Sequence, residues 1–371
     1  MSTAHSRCSV GCCAACGSAV FCIAAFVVLL ILGAFSARYR VLLRKAWTCT
    51  SRRLTLRACD TGFREDAKSR MLAPLALRHP ALVLPASVAL EVLAWLLILT
   101  TVWSLYTVAK SSTNLAVYGT CNPQDAASCS LGAEACSIDS GTPDFWQSVG
   151  RGDVVGAVVN DVAGFGETIA AIPARLRAWD AAEFAPADAS YLSGFDGRLP
   201  VALEVIDPGC SVCRHLFENI LESGFDERHN LTYLAYAIPT GSGSKFPNSP
   251  LVVSMLQAIR MQPVIDSGMP VDWRILERIY TGDIDGRPAQ DVINESTRQE
   301  AEAILAGWLV EWGYTPEQAA ATQSLAASDR VAAAVQHSAD VVRDEIDTVK
   351  IPTIIFGGGR HDGLVDVSGL R

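Results

Sequence analysis

Apolar and polar positions divide the 371 residues into an N-terminal part with two long apolar runs and a longer part with mixed patterns. The first run, 18–36, contains no charged residue, and the second, 82–109, contains only Glu91. Because about 20 apolar residues cross the hydrocarbon core of a bilayer as a helix, both runs predict transmembrane helices. A cleaved signal peptide is the alternative for the first run, but a basic loop follows it rather than a small-residue cleavage site.

The part of the chain after the second run predicts a loop and stalk, followed by an α/β domain. Short amphipathic helices broken by glycines and Pro173 are expected within 110–195, after a Cys-containing loop. The region 196–371 alternates strand and helix patterns and is interrupted by a helical insertion at about 247–349. Its predicted strands are 201–206, 230–238, 353–356 and a return strand around 364–367, after a hairpin turn at 357–359. Its predicted helices are 211–223, 251–262, 273–280, 297–313, 316–327 and 329–349.

Charge is distributed unevenly around the two apolar runs. The loop 37–80 carries eleven Lys or Arg against three acids, whereas 111–371 carries 17 Lys or Arg and 35 Asp or Glu. The positive-inside rule places the basic loop in the cytoplasm, so the tail 1–17 and the chain after residue 109 lie outside a cell membrane. The acidic outer part argues against nucleic acid as a partner, while the basic loop suits anionic lipid of the bilayer.

Twelve cysteines suit a chain whose larger part lies in an oxidising compartment. Ten of them fall into three groups: Cys8, Cys12, Cys13, Cys16 and Cys22; Cys49 and Cys59; Cys121, Cys129 and Cys136. The first group contains a second CxxC spacing that could relay electrons or bind a metal, but tail disulfides or small residues at the membrane edge are favoured. The cytoplasmic pair is expected to be free, and how the outer three pair stays open.

The remaining two cysteines, Cys210 and Cys213, follow an apolar strand and a Pro-Gly turn. A helix beginning at Cys210 would direct its unpaired backbone N–H groups at that thiol and favour the thiolate, the nucleophile of disulfide exchange. Zinc binding is an alternative, but no second CxxC or Cys/His pair follows at zinc-site spacing. An inert structural disulfide is another, although so short a loop is rarely useful as a staple.

Three features of 196–371 resemble the thioredoxin fold, and the helical insertion is similar to that of DsbA-like thiol oxidoreductases. Cys210-Ser211-Val212-Cys213 resembles the CxxC site of that family, and Ile351-Pro352-Thr353 resembles its cis-proline motif. Glu204, six residues before the first cysteine, stands where the family keeps a buried acid. The fold class expected is therefore α/β, thioredoxin-like, with a helical insertion, preceded by two transmembrane helices and a short stalk.

The resemblance implies roles for five residues. Cys210 attacks, Cys213 resolves the mixed disulfide, and Glu204 exchanges a proton with Cys213, its pKa raised by burial. Ile351 and Pro352 present backbone for strand-like pairing with an extended substrate. No organic cofactor and no metal site are expected in this reading.

The expected function is a two-pass, membrane-anchored thiol:disulfide oxidoreductase that exchanges disulfides with exported proteins. Turnover requires a membrane redox partner, either a quinone-linked oxidase or an electron donor. The Ser211-Val212 dipeptide lacks the histidine of strongly oxidising relatives, so a less extreme redox potential is expected. The direction of electron flow stays open, with oxidase or isomerase slightly favoured. The alternatives are a protein that handles copper or another soft metal with the same cysteines, and a scaffold without turnover.

Overall fold

The computed structural model describes residues 80–123, 134–138, 145–263 and 268–371, together with Leu72, Ala76 and Leu77. The predicted first transmembrane helix at 18–36, nearly all of the basic loop, the N-terminal cysteines and Cys129 lie outside the described residues. Residues 111–371 form one compact unit.

A long helix, α1 (Val83–Tyr118), covers the second apolar run and follows a 3₁₀ turn at Pro80–Leu82. The run predicted as a helix over 82–109 is helical, and the helix extends nine residues further, to Tyr118; Gly119, with a φ of 64°, follows its end. Its predicted membrane-spanning role stays a prediction. Apolar side chains on α1 are exposed: Leu84, Val88, Val92, Leu96, Leu99, Val102 and Leu105.

The predicted stalk contains three helices in the part of it that the structure describes after residue 144: α2 (Phe145–Gly150), α3 (Val154–Arg175) and α4 (Ala181–Phe184). The expectation of short helices broken by glycine is wrong for α3, which continues through Gly164 and Gly166. Each helical glycine costs only about 1 kcal/mol, which contacts elsewhere in the fold can offset. Thr168 Oγ1 donates to Asn114 Oδ1 at 2.8 Å, and the buried Arg175 pairs with Asp362 at 3.0 Å.

Among the helices whose side chains the structure describes throughout, α3 is long and apolar enough, by length and composition alone, to cross a membrane. It carries Asp161 and Glu167 within its length and the ion-paired Arg175 at its end. Thr168 and Arg175 of this helix are buried, whereas most of its apolar side chains, among them Val155, Val159 and Ile169, are exposed.

A four-stranded sheet forms the centre of the compact unit. After the short strand β1 (Cys136–Ser137), the chain forms β2 (Val201–Ile206), α5 (Ser211–Ser223) and β3 (Asn230–Ala235). Two further short hairpins precede and interrupt the helical insertion; their strands are β4 (Pro239–Thr240), β5 (Gly243–Ser244), β6 (Asp283–Ile284) and β7 (Arg287–Pro288). The chain ends with β8 (Lys350–Ile351), β9 (Thr353–Phe356), β10 (Gly359–Asp362) and the helical turn α12 (Val367–Leu370).

The sheet has the order β10-β9-β2-β3. The strands β2 and β3 are parallel and joined through α5, whereas β9 is antiparallel to β2 and β10 is antiparallel to β9. This arrangement is that of the thioredoxin fold, as the sequence resemblance implied.

The return strand predicted around 364–367 is wrong and lies at β10 instead. Gly357 and Gly358 both have positive φ, 58° and 79°, so two residues suffice to reverse the chain. A two-residue turn of this kind matches the twist of a hairpin and starts the return strand at once.

The insertion is helical, as predicted. Its helices are α6 (Ser249–Arg260), α7 (Val271–Thr281), α8 (Ala289–Glu295), α9 (Arg298–Glu311), α10 (Pro316–Ala326) and α11 (Asp329–Asp340), followed by a π-helical turn at Val341–Glu345. Capping boxes, at Thr297 with Glu300 and at Thr315 with Gln318, fix the starts of α9 and α10. The last helix was expected to reach residue 349, but it loosens into the π turn before Asp347, whose φ is 53°.

The insertion and the sheet share one hydrophobic core. Trp273 of α7 stacks on Phe217 of α5 and meets Tyr233 of β3 edge-on, with ring centroids 6.4 and 4.7 Å apart. The segment before residue 196 also contributes, because Trp179 and Leu192 are buried in this core. The predicted boundary at 195/196 therefore does not separate two cores.

Candidate functional site

Cys210 occupies the N-cap of α5, at the end of a tight turn after β2. The helix begins at Ser211, as the predicted bounds 211–223 had it, and Cys210 itself has extended backbone. Its carbonyl accepts from the backbone N–H of Cys213 at 3.1 Å, so the two cysteines share the first turn of the helix. At this position the thiol lies beside the positive end of the helix dipole.

Asp207 holds the turn that leads into Cys210. Its carboxylate accepts from the backbone N–H groups of Gly209 and Ile238, at 2.9 and 2.8 Å, and from the Ser249 hydroxyl. Burial raises the pKa of this carboxyl, although the hydrogen bonds act in the opposite direction. Sequence reasoning missed Asp207; its signal was an acid directly before Pro-Gly, which is typical of a side chain that stabilises a turn.

The helical insertion also holds this turn, through α8. Gln290 Nε2 donates to the carbonyls of Pro208 and Cys210, at 2.8 and 3.0 Å, and Asn294 Nδ2 donates to that of Gly209 at 2.9 Å. Three carbonyls before the helix are thereby satisfied by side chains about 80 residues further along the chain. No local spacing in the sequence indicates such a contact, and sequence reasoning missed it.

Gly209 provides a test of how tightly the turn is packed. A Cβ at this position would lie 2.5 Å from Phe246 Cβ and 2.7 Å from Ser249 Oγ. We therefore expect Gly209→Ala to lower the free energy of unfolding by roughly 1–3 kcal/mol, the usual cost of overpacking. Thermal unfolding of the full chain in detergent measures the change.

The matched control is Gly164→Ala in α3, where a Cβ meets nothing within 4 Å, and no loss of stability is expected. Equal losses of stability in both variants would show that the turn at Gly209 is not tightly packed.

Glu204 lies on β2, below the cysteine helix, and is 1% exposed. Burial raises the pKa of its carboxyl from 4.5 to about 8. Its Oε1 atom finds no hydrogen-bond partner among the described residues, so no donor offsets the loss of water there. The group is therefore largely protonated at neutral pH and close to the point where it can release or take up a proton.

Cys213 is a free thiol and is fully buried. Burial raises the pKa of this thiol well above its ordinary value, and the negative charge of Glu204 raises it further. The electrostatic influence of Glu204 on Cys213 means that the two groups lie close enough for each to affect the proton of the other. A buried thiol of this kind needs a proton acceptor before it can attack.

The Ile351–Pro352 peptide bond is cis and lies between two strand pairings. After the bond, β9 pairs with β2, with Thr353 opposite Val205. Before it, β8 pairs antiparallel with β1, with Ile351 opposite Cys136. Asp362, which pairs with Arg175 and Arg360, lies 2.9 Å from the Thr353 hydroxyl and anchors this loop.

The disulfide present at the site joins Cys210 to Cys136, not to Cys213. The two Cα atoms are 6.6 Å apart, and the residues are separated by 74 positions in sequence. The sequence left the partner of Cys136 open, and the structure gives it as Cys210. Cys121 is disulfide-bonded as well.

Through this disulfide and the pairing of β1 with β8, all five residues singled out from the sequence lie in one place: Cys210, Cys213, Glu204, Ile351 and Pro352. Cys136, Asp207 and Gln290 join them. Among the described residues, no three His, Cys, Asp or Glu side chains are grouped so that they could hold a metal ion.

No family model matches this chain, and no curated protein matches it. A solved structure described as a thioredoxin-like oxidoreductase from Silicibacter pomeroyi DSS-3 is similar, with 15% sequence identity and a TM-score of 0.36. The similarity covers 50% of this chain and 90% of that one. The sheet order and strand directions of residues 196–371, rather than this likeness, identify the fold as thioredoxin-like.

Proposed function

We propose that this chain is a thiol:disulfide oxidoreductase whose nucleophile is Cys210. The observation that carries the proposal is that Cys210, at a helix N-cap, is disulfide-bonded to an extended segment paired with Ile351 beside Pro352. That arrangement is the one a mixed disulfide with an extended peptide would have. Cys213 and Glu204, buried together on the other side, supply a second thiol and a proton acceptor.

The reaction is a pair of thiol–disulfide exchanges. In the oxidase direction, a substrate thiolate attacks the Cys210 sulfur of a Cys210–Cys213 disulfide, forms a mixed disulfide with Cys210, and releases Cys213 as a thiolate that takes up a proton. The second substrate thiol then attacks the substrate sulfur of the mixed disulfide, and Cys210 leaves as a thiolate. The substrate loses two electrons and two protons, and the dithiol of the protein gains them.

We further propose that the domain is anchored in a membrane, DsbA-like, and acts on exported proteins. The apolar run at 18–36, the basic loop after it and the exposed apolar side chains of α1 support a two-pass anchor with the domain outside. The partner that restores the dithiol would be a quinone-linked oxidase or a membrane electron donor. We propose the oxidase or isomerase direction, with a less extreme potential than that of strongly oxidising relatives, because Ser211-Val212 lacks their histidine.

The redox equilibrium of Cys210 with glutathione tests the proposal. The full chain in detergent is incubated at a series of ratios of reduced to oxidised glutathione, free thiols are alkylated in acid, and the peptide containing Cys210 is quantified by mass spectrometry. We expect a two-electron transition within the range covered by glutathione. A midpoint near that of thioredoxin would favour a reductase.

A metal-handling protein would behave differently in the same assay. It would show no transition of Cys210 within the glutathione range and would bind a soft cation such as Cu(I) with the thiols reduced. That pair of results would overturn the oxidoreductase proposal.

A further inference from the structure

The segment 134–138 lies in the place where an extended substrate would bind. Its strand β1 pairs with β8, with Cys136 opposite Ile351 and Ser137 opposite Lys350. The backbone N–H of Ile138 donates to the Val349 carbonyl at 3.0 Å, which continues the pairing by one residue. The segment therefore uses the backbone that precedes Pro352, which is the recognition surface assigned above to substrates.

Two contacts hold the segment from either side of this strand. The backbone N–H of Leu364 donates to the Glu134 carbonyl at 2.8 Å, and Lys245 Nζ donates to the Ser137 carbonyl at 3.3 Å. Both contacts are made to backbone carbonyls, so they do not depend on which side chains the segment carries. Strand addition of this kind takes its affinity from main-chain hydrogen bonds, as in other peptide-binding sites.

The Cys136–Cys210 disulfide closes the site. Cys210 is fully buried in this state, and Cys136 is 9% exposed. A substrate thiolate cannot reach the sulfur of Cys210 while the segment is in place, because disulfide exchange requires direct access to the sulfur that is attacked.

We propose that residues 134–138 are a built-in substrate segment and that Cys136 is a third redox cysteine, whose disulfide with Cys210 is the resting state of the protein. The inference rests on the proposed function. The chain would open itself by the same exchange that it performs on substrates, and close again when no substrate competes.

The opening step needs no outside oxidant or reductant. The thiolate of Cys213 attacks the Cys210 sulfur, the Cys210–Cys136 bond breaks, and Cys136 leaves as a thiolate while a Cys210–Cys213 disulfide forms. In molecules whose Glu204 is ionised, the proton given up by Cys213 passes to that carboxylate and then to solvent, from which the released Cys136 thiolate takes one. Both forms contain one disulfide and one thiol among the three cysteines, so the two differ in pairing and not in oxidation state.

Competition between the segment and a substrate sets the expected size of the effect. A tethered thiol acts at an effective concentration in the mM range, well above that of most exported proteins. If the open form is about one tenth of the population, the substrate concentration that gives half-maximal rate rises about tenfold. Removal of Cys136 should therefore lower that concentration about tenfold without lowering the maximal rate.

The test has a mapping step and a kinetic step, both with the full chain in detergent. Protein purified without reductant is alkylated in acid, digested without reduction and analysed by mass spectrometry. A Cys136–Cys210 peptide pair with an alkylatable Cys213 is expected, and addition of a reduced dithiol peptide should release Cys136. A Cys136 that is free, or linked to a cysteine other than Cys210, would overturn the inference.

In the kinetic step, protein oxidised with glutathione disulfide oxidises the reduced peptide in a single turnover. Cys136→Ser should show a half-maximal concentration about tenfold lower than wild type, by the population argument above. Cys121→Ser is the matched control, because it removes another disulfide-bonded cysteine of the same region without freeing Cys210; it should behave as wild type. Equal half-maximal concentrations for wild type and Cys136→Ser would overturn the inference while leaving the proposed function intact, whereas no exchange by either protein would overturn both.

A built-in substrate segment would also compete with substrates in trapping variants that lack Cys213. In Cys213→Ala the resting disulfide cannot be opened from within, so the variant should be recovered with Cys210 joined to its own Cys136. In the double variant Cys136→Ser/Cys213→Ala, the Cys210 thiolate should instead attack the disulfide of an added oxidised peptide, so that a Cys210–peptide mixed disulfide accumulates and the second peptide sulfur leaves as a thiolate. A single variant that traps added peptide as efficiently as the double one would contradict the built-in segment.

Discussion

Replacing Cys210 with serine is expected to reduce the oxidation of a dithiol peptide to the rate of the uncatalysed reaction. The hydroxyl of serine cannot form the mixed disulfide, so neither Cys213 nor Cys136 can pass its electrons through this position. The assay is the single-turnover oxidation of the peptide by the full chain. The same variant should leave Cys136 without its partner, so that Cys136 is alkylated in the folded protein.

Cys136→Ser is the matched control for this variant, because both lose the same disulfide. The disulfide closes a loop of 74 residues, and its loss is expected to cost roughly 4 kcal/mol in the free energy of unfolding if loop entropy dominates. Both variants should therefore unfold at similar temperatures, while Cys136→Ser alone keeps the nucleophile. Peptide oxidation that survives in Cys210→Ser, or that is lost equally in both variants, would exclude Cys210 as the catalytic thiol.

The parts of the fold with a strong local pattern could be predicted from the sequence. The strands β2 and β9 and the helix α5 have the predicted bounds, because apolar periodicity and turn residues fixed them locally. The predictions are wrong where the backbone adopts a less common conformation or where contacts between distant residues decide it. The two-glycine turn moved the return strand to β10, and contacts of Thr168 and Arg175 with distant residues allowed α3 to continue through its glycines.

The candidate site was predicted only in part, and the missing residues have a common physical cause. Cys210, Cys213 and Pro352 belong to short recognisable motifs, and Glu204 lies on the strand that leads to the CxxC motif. Local sequence was therefore enough to find them. Cys136 and Gln290 reach the site from segments 74 and 80 residues away from Cys210, and no periodicity encodes such a meeting. Three cysteines in a polar loop were compatible with any pairing, so the link to Cys210 required the folded chain.

Glu204→Gln is expected to make the protein more stable at alkaline pH. The carboxyl has a pKa of about 8 in the folded chain and about 4.5 when exposed, so between these values the folded protein holds a proton that the unfolded chain has released. Unfolding then releases a proton, and the free energy of unfolding of the wild type falls as the pH rises from about 4.5 to about 8. Glutamine does not titrate and removes this fall.

The size of the effect follows from the difference between the two pKa values. At about 1.4 kcal/mol for each pKa unit, the variant should gain roughly 4–5 kcal/mol relative to wild type between pH 4.5 and pH 9. Chemical unfolding of the full chain at a series of pH values measures the gain. Glu218→Gln is the matched control, since Glu218 is an exposed residue on α5, and it should leave the pH dependence of the wild type unchanged.

The same substitution should slow disulfide exchange even as it stabilises the fold. Resolution by Cys213 requires loss of a proton from a buried thiol, and the charge of Glu204 acts on that thiol more strongly than the charge of Asp207 does. Loss of a positioned base is expected to lower the rate about 10²-fold, and the rise in rate toward pH 8 that we expect in wild type should disappear. An increase in stability with an unchanged pH–rate profile would assign Glu204 a purely structural role, because a proton acceptor cannot be removed without altering the pH dependence of the step it serves.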